Sequence, residues 1–267
     1  PEDKYIIAID PSFSNSPSSD YFAMSVIEIN EENQTGTLVH SYALAGGDLK
    51  DHISYLNYLM ESFDVEMLII DNAGSQFIDS CNESEVFSKK LEFFEFNSDA
   101  EGSDYQKQIT KVKKDYNKES GKICFRQIFT SNWLRKANEH LQACIDHKRI
   151  WFASKATANG PIFNSMTSQR INLELPKGET ILDFIENQDN LIYQTKKQCA
   201  LIEVKSTAKG TQTFDLPQHL KRNTSANRAR RDNYTTLMLG VWALKCYFDI
   251  KGVQQEEFSD TFSPMML

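Results

Sequence analysis

Long apolar runs are missing from this chain of 267 residues, in which no segment approaches the roughly 20 apolar residues of a membrane-spanning helix. The start of the chain has no secretory signal pattern either. The apolar fraction of 40% and the charged fraction of 25% are those of an ordinary globular protein. The sequence therefore predicts a domain that buries a substantial core and has no membrane partner.

Cysteine is scarce and scattered, and this argues against two kinds of structural cross-link. The 5 cysteines are odd in number and show no Cys-x-x-Cys spacing. The 5 histidines share no common spacing that would suit zinc. We therefore expect reduced thiols in a cytoplasmic compartment, with neither disulfides nor structural zinc.

Aspartates follow two apolar runs that have the character of buried strands. The first run, Tyr5 to Ile9, leads into Asp10, and the second, Met67 to Ile70, leads into Asp71. If the two strands are parallel neighbours, their carboxylates meet at the sheet edge where open α/β sheets bind ligands. Like charges held close need a cation between them, or one must take up a proton. The pattern favours a divalent-metal site, and the alternative is that each aspartate merely caps a turn.

The order of the predicted elements narrows the fold class to α/β. Strands are expected at 21–29 and 38–44, then a helix that begins after Asp48, then the strand that ends at Asp71. This β-β-β-α-β order resembles the ribonuclease-H-like fold, a mixed sheet flanked by helices. An additional β-hairpin is expected between Cys199 and Phe214, before the last helix.

One domain is expected to span residues 1–252. Within it, the stretch 83–122 is predicted to be an irregular excursion, with room for one helix. The tail at 253–267 is predicted to be flexible. The oligomeric state does not follow from the sequence.

A third aspartate stands in the first turn of the last predicted helix, which runs from about 230 to 248. Asp232 is followed at i+4 and i+8 by Thr236 and Gly240, on one face of the helix. Glycine in a helix interior costs about 1 kcal/mol relative to alanine, so its presence suggests a close approach to a neighbour. If this face lies on the sheet, Asp232 projects toward Asp10 and Asp71.

Three such carboxylates suit magnesium or manganese, which prefer oxygen ligands. Two of these ions about 4 Å apart can activate a water and stabilise the leaving oxygen in phosphodiester cleavage. Asp10, Asp71 and Asp232 are therefore the candidate catalytic and metal-binding residues. Asp20 is a weaker fourth candidate that could ligate a second ion, or simply cap a strand edge.

Charge is unevenly distributed along the chain. The net charge of −8 argues against a nucleic-acid partner, but residues 205–231 carry seven basic residues and one acid, a local charge of +6. A cationic surface on an acidic body is compatible with phosphate binding, although a charge run is usually just a solvated face. The candidate DNA-binding residues are Lys205, Lys209, Lys221, Arg222, Arg228, Arg230 and Arg231.

Two motifs resemble the nuclease domain of viral large terminase subunits. The first is Ile-Ala-Ile-Asp-Pro at 7–11, followed by a serine-rich turn and Ser-Asp-Tyr at 19–21. The second is Arg-Asp-Asn-Tyr at 231–234, which is similar to the final acidic motif of that family. The hairpin and the helix-then-strand block at 132–152 also match its layout. The resemblance covers most of the chain outside 83–122.

This resemblance implies a metal-dependent endonuclease that cuts concatemeric viral double-stranded DNA during genome packaging, with little sequence specificity. It implies that Asp10, Asp71 and Asp232 hold two magnesium or manganese ions. The implied partners are DNA, an N-terminal ATPase domain of the same full-length protein, the portal protein and the small terminase subunit. The implied location is the cytoplasm of the host cell. Arg231 departs from the family, which often has an acid or histidine beside the last aspartate.

The motor domain of that family is expected to be absent from this chain. No Gly-x-x-x-x-Gly-Lys-Ser/Thr segment occurs, and the abrupt start at Pro1 suggests a piece of a longer polypeptide. We therefore expect packaging itself to lie outside the activity of this chain.

Three alternatives stay open. A junction resolvase or transposase-type nuclease shares the acids, but would bring dimerisation or sequence-reading elements that the sequence does not reveal. An actin- or sugar-kinase-like ATPase would need glycine-rich phosphate loops, and the turn 11–19 contains no glycine. A non-catalytic assembly module would keep the fold and dock to a partner.

Overall fold

The structure, a computed structural model, describes residues 3–13, 20–87, 90–96, 102–116, 122–153, 181–206, 212–221 and 230–252. The strands are β1 (Lys4–Asp10), β2 (Phe22–Asn30), β3 (Thr35–Leu44), β4 (Val65–Asp71), β5 (Leu91–Phe96), β6 (Lys122–Gln127), β7 (Ile150–Phe152), β8 (Glu203–Ser206) and β9 (Gln212–Asp215). The helices are α1 (Leu49–Ser62), α2 (Ser75–Glu83), α3 (Gly102–Tyr116), α4 (Ser131–Asp146), α5 (Ile181–Leu201), α6 (Gln218–Lys221) and α7 (Asp232–Lys251). Across these ranges, no helix combines the length and apolar character needed to cross a membrane.

Seven strands form one mixed sheet in the order β5-β6-β4-β1-β2-β3-β7. β2 is antiparallel to both β1 and β3, whereas β1 and β4 run parallel. β8 and β9 form a separate hairpin before the last helix, where the sequence predicts one. The β-β-β-α-β order and the sheet order around β1 are those of a ribonuclease-H-like fold, which confirms the predicted fold class.

β1 lies at the centre of the seven-stranded sheet, and both of its faces are covered. Ile6 to Ile9 are fully buried, and their side chains alternate between two cores. Ala8 belongs to the core beneath α7, and Ile9 belongs to the core beneath α1 and α2. The uninterrupted apolar run in the sequence reflects this two-sided burial.

α7 lies directly on the sheet, as its small residues predict. A Cβ added at Gly240 would lie 2.5 Å from Ile27 Cδ1 and 3.4 Å from Ala8 Cβ. One turn earlier, Thr236 Oγ1 and Ser25 Oγ form a buried hydrogen bond of 2.6 Å. These contacts set the height of α7 above β1 and β2, and so the height of Asp232 at its start.

The stretch 83–122 differs from the predicted irregular excursion, since its described parts are regular. β5 adds a parallel strand beside β6, and α3 packs on α7 through the buried Ile109 and Val112. These apolar positions are sparse among lysines and acids, so the helical period is hard to read from the sequence. The helix α2 begins soon after Asp71, and the N-cap of α4 is Thr130. The predicted tail at 253–267 lies outside the described residues.

Candidate active site

Two of the three predicted acids stand side by side at one edge of the sheet. Ile9 of β1 pairs with Ile70 of β4 in the parallel register, and the next residues are Asp10 and Asp71. Because side chains alternate along a strand, both aspartates lie on the same face as Ala8 and Ile69, which is the face covered by α7. Neighbouring parallel strands thus present two carboxylates beneath the start of one helix.

Asp232 reaches this edge from the first turn of α7. Its Oδ2 accepts a hydrogen bond of 3.0 Å from the backbone N of Tyr21, just before β2. The start of α7 is held from a second side, because Gln198 Oε1 accepts a hydrogen bond of 2.9 Å from Tyr234 N. β2 is also the strand that pairs with Asp10, so these contacts bring Asp232 to the Asp10 corner of the sheet.

The acids interact electrostatically. The pKa of Asp10 is raised well above its ordinary value, chiefly because the carboxyl is buried. The charges of Asp232 and Asp71 raise this pKa further, Asp20 adds a smaller contribution, and the Arg231 guanidinium opposes them. The other three predicted acids therefore all lie within electrostatic reach of Asp10. Asp20 differs from the rest because its side chain is exposed.

The donor atoms at this edge suit a hard divalent ion, although they are spread apart. Within the described ranges, no three His, Cys, Asp or Glu side chains are gathered closely enough to hold a metal ion. The donors are nonetheless carboxylate oxygens, and buried amides with unpartnered atoms lie nearby at Gln127 and Asn233. Oxygen donors without sulfur or imidazole are the set that Mg²⁺ and Mn²⁺ prefer. The residues fit such an ion in chemistry, and binding would require the carboxylates to close around it.

A cleft of ≈ 430 Å³ opens from the acids toward the hairpin. Asp10, Asp20 and Asp232 lie on one side of it, and Arg135 of α4 lies on another. Thr213 and Phe214 of β9, together with Arg231, complete its rim. A cleft that combines carboxylates with guanidinium groups can hold a phosphate-bearing chain beside a cation.

Three of the predicted basic residues have described side chains, and these lie in different surroundings. Arg231 is exposed at the cleft and its Nη1 lies 3.3 Å from Asp215 Oδ1. Arg230 is buried, and its guanidinium stacks 3.8 Å from the centre of the Tyr21 ring. Lys205 is exposed on β8 and pairs with Glu203 at 2.8 Å.

The remaining basic residues are placed only in part. Lys221 ends α6, and its side chain lies outside the described residues. Lys209, Arg222 and Arg228 lie wholly outside the described ranges. Of the predicted basic residues whose side chains are described, Arg231 lines the cleft together with Asp10, Asp20 and Asp232.

Sequence reasoning missed Arg135 and Asn138, which line the cleft from α4. The Asn138 side chain accepts a hydrogen bond from the hydroxyl of Tyr234, which lies on α7 two residues after Asp232. Ser131, Leu134, Arg135 and Asn138 stand at i, i+3, i+4 and i+7, on one helix face. In the sequence, these residues could have been found because they are polar residues on a helix face that is expected to be apolar.

Comparisons with solved structures return nuclease domains of phage large terminases. The large terminase nuclease from thermophilic phage G20c is 10% identical and aligns over 89% of this chain and 81% of its own, with a TM-score of 0.44. The nuclease domain of the large terminase subunit of bacterial virus Sf6 is 10% identical, over 89% of this chain and 87% of its own, with a TM-score of 0.44. The large terminase nuclease domain from bacteriophage SPP1, solved with bound Mn, is 8% identical over 90% and 86%, with a TM-score of 0.39.

No protein-family description and no curated protein sequence matches the chain. With identities of 8–10% and TM-scores of 0.44 or less, residue roles do not transfer from these nucleases to this chain. The function has to be argued from the residues at the sheet edge.

Proposed function

We propose that this chain is a divalent-metal-dependent endonuclease that hydrolyses phosphodiester bonds of double-stranded DNA. The observation that carries the proposal is the convergence of Asp10, Asp71 and Asp232 from three separate elements onto one sheet edge. Burial raises the pKa of Asp10, and the charges of Asp232 and Asp71 raise it further, so a charged Asp10 is a cost that the fold bears when no cation is bound. Active sites are the places where such costs are usually retained.

The roles of the residues follow from their positions. Asp10, Asp71 and Asp232 would bind Mg²⁺ or Mn²⁺, with Asp20 assisting from the exposed side. Two such ions supply activation of the attacking water and stabilisation of the leaving oxygen. Arg135 and Arg231 bind phosphates of the DNA strand that lies in the cleft, and contacts of this kind give little sequence specificity.

The biological setting of the proposal comes from the sequence motifs around Asp10 and Asp232. Their resemblance to terminase nuclease motifs supports the cutting of viral DNA concatemers during genome packaging, in the host cytoplasm. The partners would then be an ATPase domain of the same protein, the portal and the small terminase subunit. Residues 1–252 would form the nuclease domain.

The test is cleavage of supercoiled plasmid DNA by the isolated chain. We expect nicked and linear products with Mn²⁺ or Mg²⁺, and none with EDTA. Asp10→Asn should abolish cleavage, whereas Asp146→Asn should keep it, because Asp146 is exposed at the end of α4 that lies away from the cleft. Cleavage that persists in EDTA, or in the Asp10 variant, contradicts the proposal.

A further inference from the structure

A glutamine lies beside the acids at the edge of the sheet, on the strand next to β4. In the parallel pairing of β4 with β6, Asp71 is the register partner of Gln127. Phe125, two residues earlier on β6, belongs to the core beneath α7, so Gln127 lies on that same face. The carboxyl edge of the sheet therefore presents Gln127, Asp71 and Asp10 in sequence across three neighbouring strands.

The side chain of Gln127 is fully buried, and its two polar atoms differ in their hydrogen bonding. Its Nε2 donates a hydrogen bond of 2.9 Å to the backbone carbonyl of Ile128. Its Oε1 is buried and has no hydrogen-bond partner among the described residues. Burying an amide oxygen without a partner costs about 1–3 kcal/mol, and native proteins leave few such atoms without a reason.

A second buried amide faces the same row from above. Asn233 is 2% exposed, and within the described part of the chain neither its Nδ2 nor its Oδ1 has a partner. Its position seven residues before Gly240 places it on the helix face that touches the sheet, toward the carboxyl end of β1. Two neutral amides with unused hydrogen-bonding capacity thus flank the acids from β6 and from α7.

We propose that Gln127 is a positioning residue of the metal site, whose amide oxygen accepts a hydrogen bond from a water molecule of the ion's shell. The inference rests on the proposed function. Mg²⁺ and Mn²⁺ keep several waters when carboxylates bind them, and those waters need acceptors. A fourth carboxylate would supply an acceptor but would add to the repulsion around Asp10. A neutral amide supplies the acceptor without the charge.

The test measures Mn²⁺ binding through the thermal shift of the chain, without any assay of cleavage. Gln127→Met keeps the shape and removes both polar atoms, while Gln127→Glu keeps an oxygen at the same place. The matched control is Gln34→Met, because Gln34 also has a buried Oε1 that lacks a partner in the described ranges. It lies in the turn between β2 and β3, at the opposite end of β2 from Tyr21.

The half-saturating Mn²⁺ concentration should rise about tenfold in Gln127→Met, which is the usual effect of losing a group that orders a metal's shell. It should return to the wild-type value or below in Gln127→Glu, and stay unchanged in Gln34→Met. The metal-free Gln127→Met protein should melt no lower than wild type, since an unsatisfied polar atom is removed. Wild-type affinity in a folded Gln127→Met protein overturns this inference alone. A wild-type chain that shows no Mn²⁺ shift overturns the proposed function and the inference with it.

Discussion

At the scale of single residues, the site is a set of charges held where solvent screens them poorly. Asp10 and Asp232 are buried or nearly so, and the pKa of Asp10 is raised chiefly by burial and further by the charges of Asp232 and Asp71. Each carboxylate is therefore destabilising in the metal-free protein and favourable once a cation is bound. One substitution should therefore have opposite effects on stability in the absence and in the presence of a divalent cation.

Replacing Asp10, Asp71 or Asp232 by asparagine should leave the metal-free melting temperature unchanged or raise it. For a chain of this size, each 1 kcal/mol of relieved repulsion corresponds to about 2–4 °C. In Asp232→Asn the amide oxygen can still accept the hydrogen bond from Tyr21 N, so the start of α7 should hold. Mn²⁺ should raise the melting temperature of wild type, because it binds only the folded site, and the variants should lose most of that rise.

Thermal melting with and without Mn²⁺ checks this prediction for all three variants. Asp20→Asn should show a smaller loss, since its side chain is exposed. An Asp232→Asn protein that keeps the full Mn²⁺ shift would remove α7 from the proposed site.

A buried histidine on the face of the sheet opposite α7 should make the stability of the protein sensitive to acid. His40 is buried and its Nε2 lies 2.6 Å from the Tyr55 hydroxyl, and burial lowers its pKa to about 3. A histidine with a depressed pKa stays neutral in the fold while the unfolded chain takes up a proton near pH 6.5. Stability is therefore complete above pH 6.5 and is lost as the pH falls toward 3.

Between pH 7 and pH 5 this single histidine should lower the free energy of unfolding by about 2 kcal/mol. Urea unfolding at pH 7, 6 and 5 measures the slope, and His40→Gln should flatten it because the amide does not titrate. His140, whose burial lowers its pKa to about 4, should leave a residual slope. A variant with the full wild-type slope would show that His40 is not the source.

At the scale of elements, α7 is the part that sets the geometry of the site. It spans the sheet above β1 and β2, and its distance from them depends on the absence of a side chain at Gly240. The buried Ser25–Thr236 hydrogen bond fixes its rotation. A substitution in the middle of this helix should therefore displace its first turn, where Asp232 lies.

Gly240→Val should destabilise the protein by about 1–3 kcal/mol, because its branched side chain overpacks a filled contact. The helix would have to rise from Ile27 and Ala8, and the Mn²⁺ shift should weaken as Asp232 is displaced. Gly240→Ala is the matched control with a smaller expected loss. Its Cβ meets the mobile end of Ile27, and alanine regains about 1 kcal/mol of helix propensity. Equal melting temperatures for wild type and the valine variant would contradict close packing at this point.

At the scale of the whole molecule, this acidic protein has, among its described residues, two arginines that line the cleft. The net charge is −8, so long-range attraction to DNA is weak and binding depends on local contacts. Arg135 and Arg231 line the cleft, whereas Arg230 is buried against Tyr21. Arg230 and Arg231 are neighbours in sequence, but their substitution should therefore have different effects.

Arg135→Ala and Arg231→Ala should weaken DNA binding across all sequences and flatten the salt dependence by about one unit of slope for each lost phosphate contact. Arg230→Ala should instead lower the melting temperature, because it removes a buried cation–π contact. Lys107→Ala is the control, since Lys107 is an exposed base on α3 that is not among the residues lining the cleft. Fluorescence anisotropy between 50 and 200 mM salt, roughly the range over which such contacts weaken, measures the slope. An unchanged slope for Arg231→Ala would place the phosphates elsewhere.

The sequence by itself determined the elements on which the candidate acids stand. The apolar runs before Asp10 and Asp71, and the small residues after Asp232, report burial directly, because a strand covered on both faces must be apolar throughout. A helix that approaches a sheet as closely as α7 does at Gly240 must likewise carry a small residue at the contact. From these patterns the burial of β1 and β4 and a close approach at Gly240 could be predicted, whereas the parallel pairing of β1 with β4 and the packing of α7 on the sheet entered only as conditions.

Only the tertiary structure decided which other residues join the edge of the sheet. The burial of Arg230, the approach of Arg135 from α4 and the place of Gln127 beside Asp71 depend on elements far apart in the chain. β5 and α3 are likewise stabilised by their contacts with β6 and α7, and their own sequences carry no strong pattern of apolar residues. A local pattern records how deeply a segment is buried, but it does not record which distant segment buries it. The acids were visible in the sequence because each ends or opens an element, and their neighbours were not because contact alone defines them.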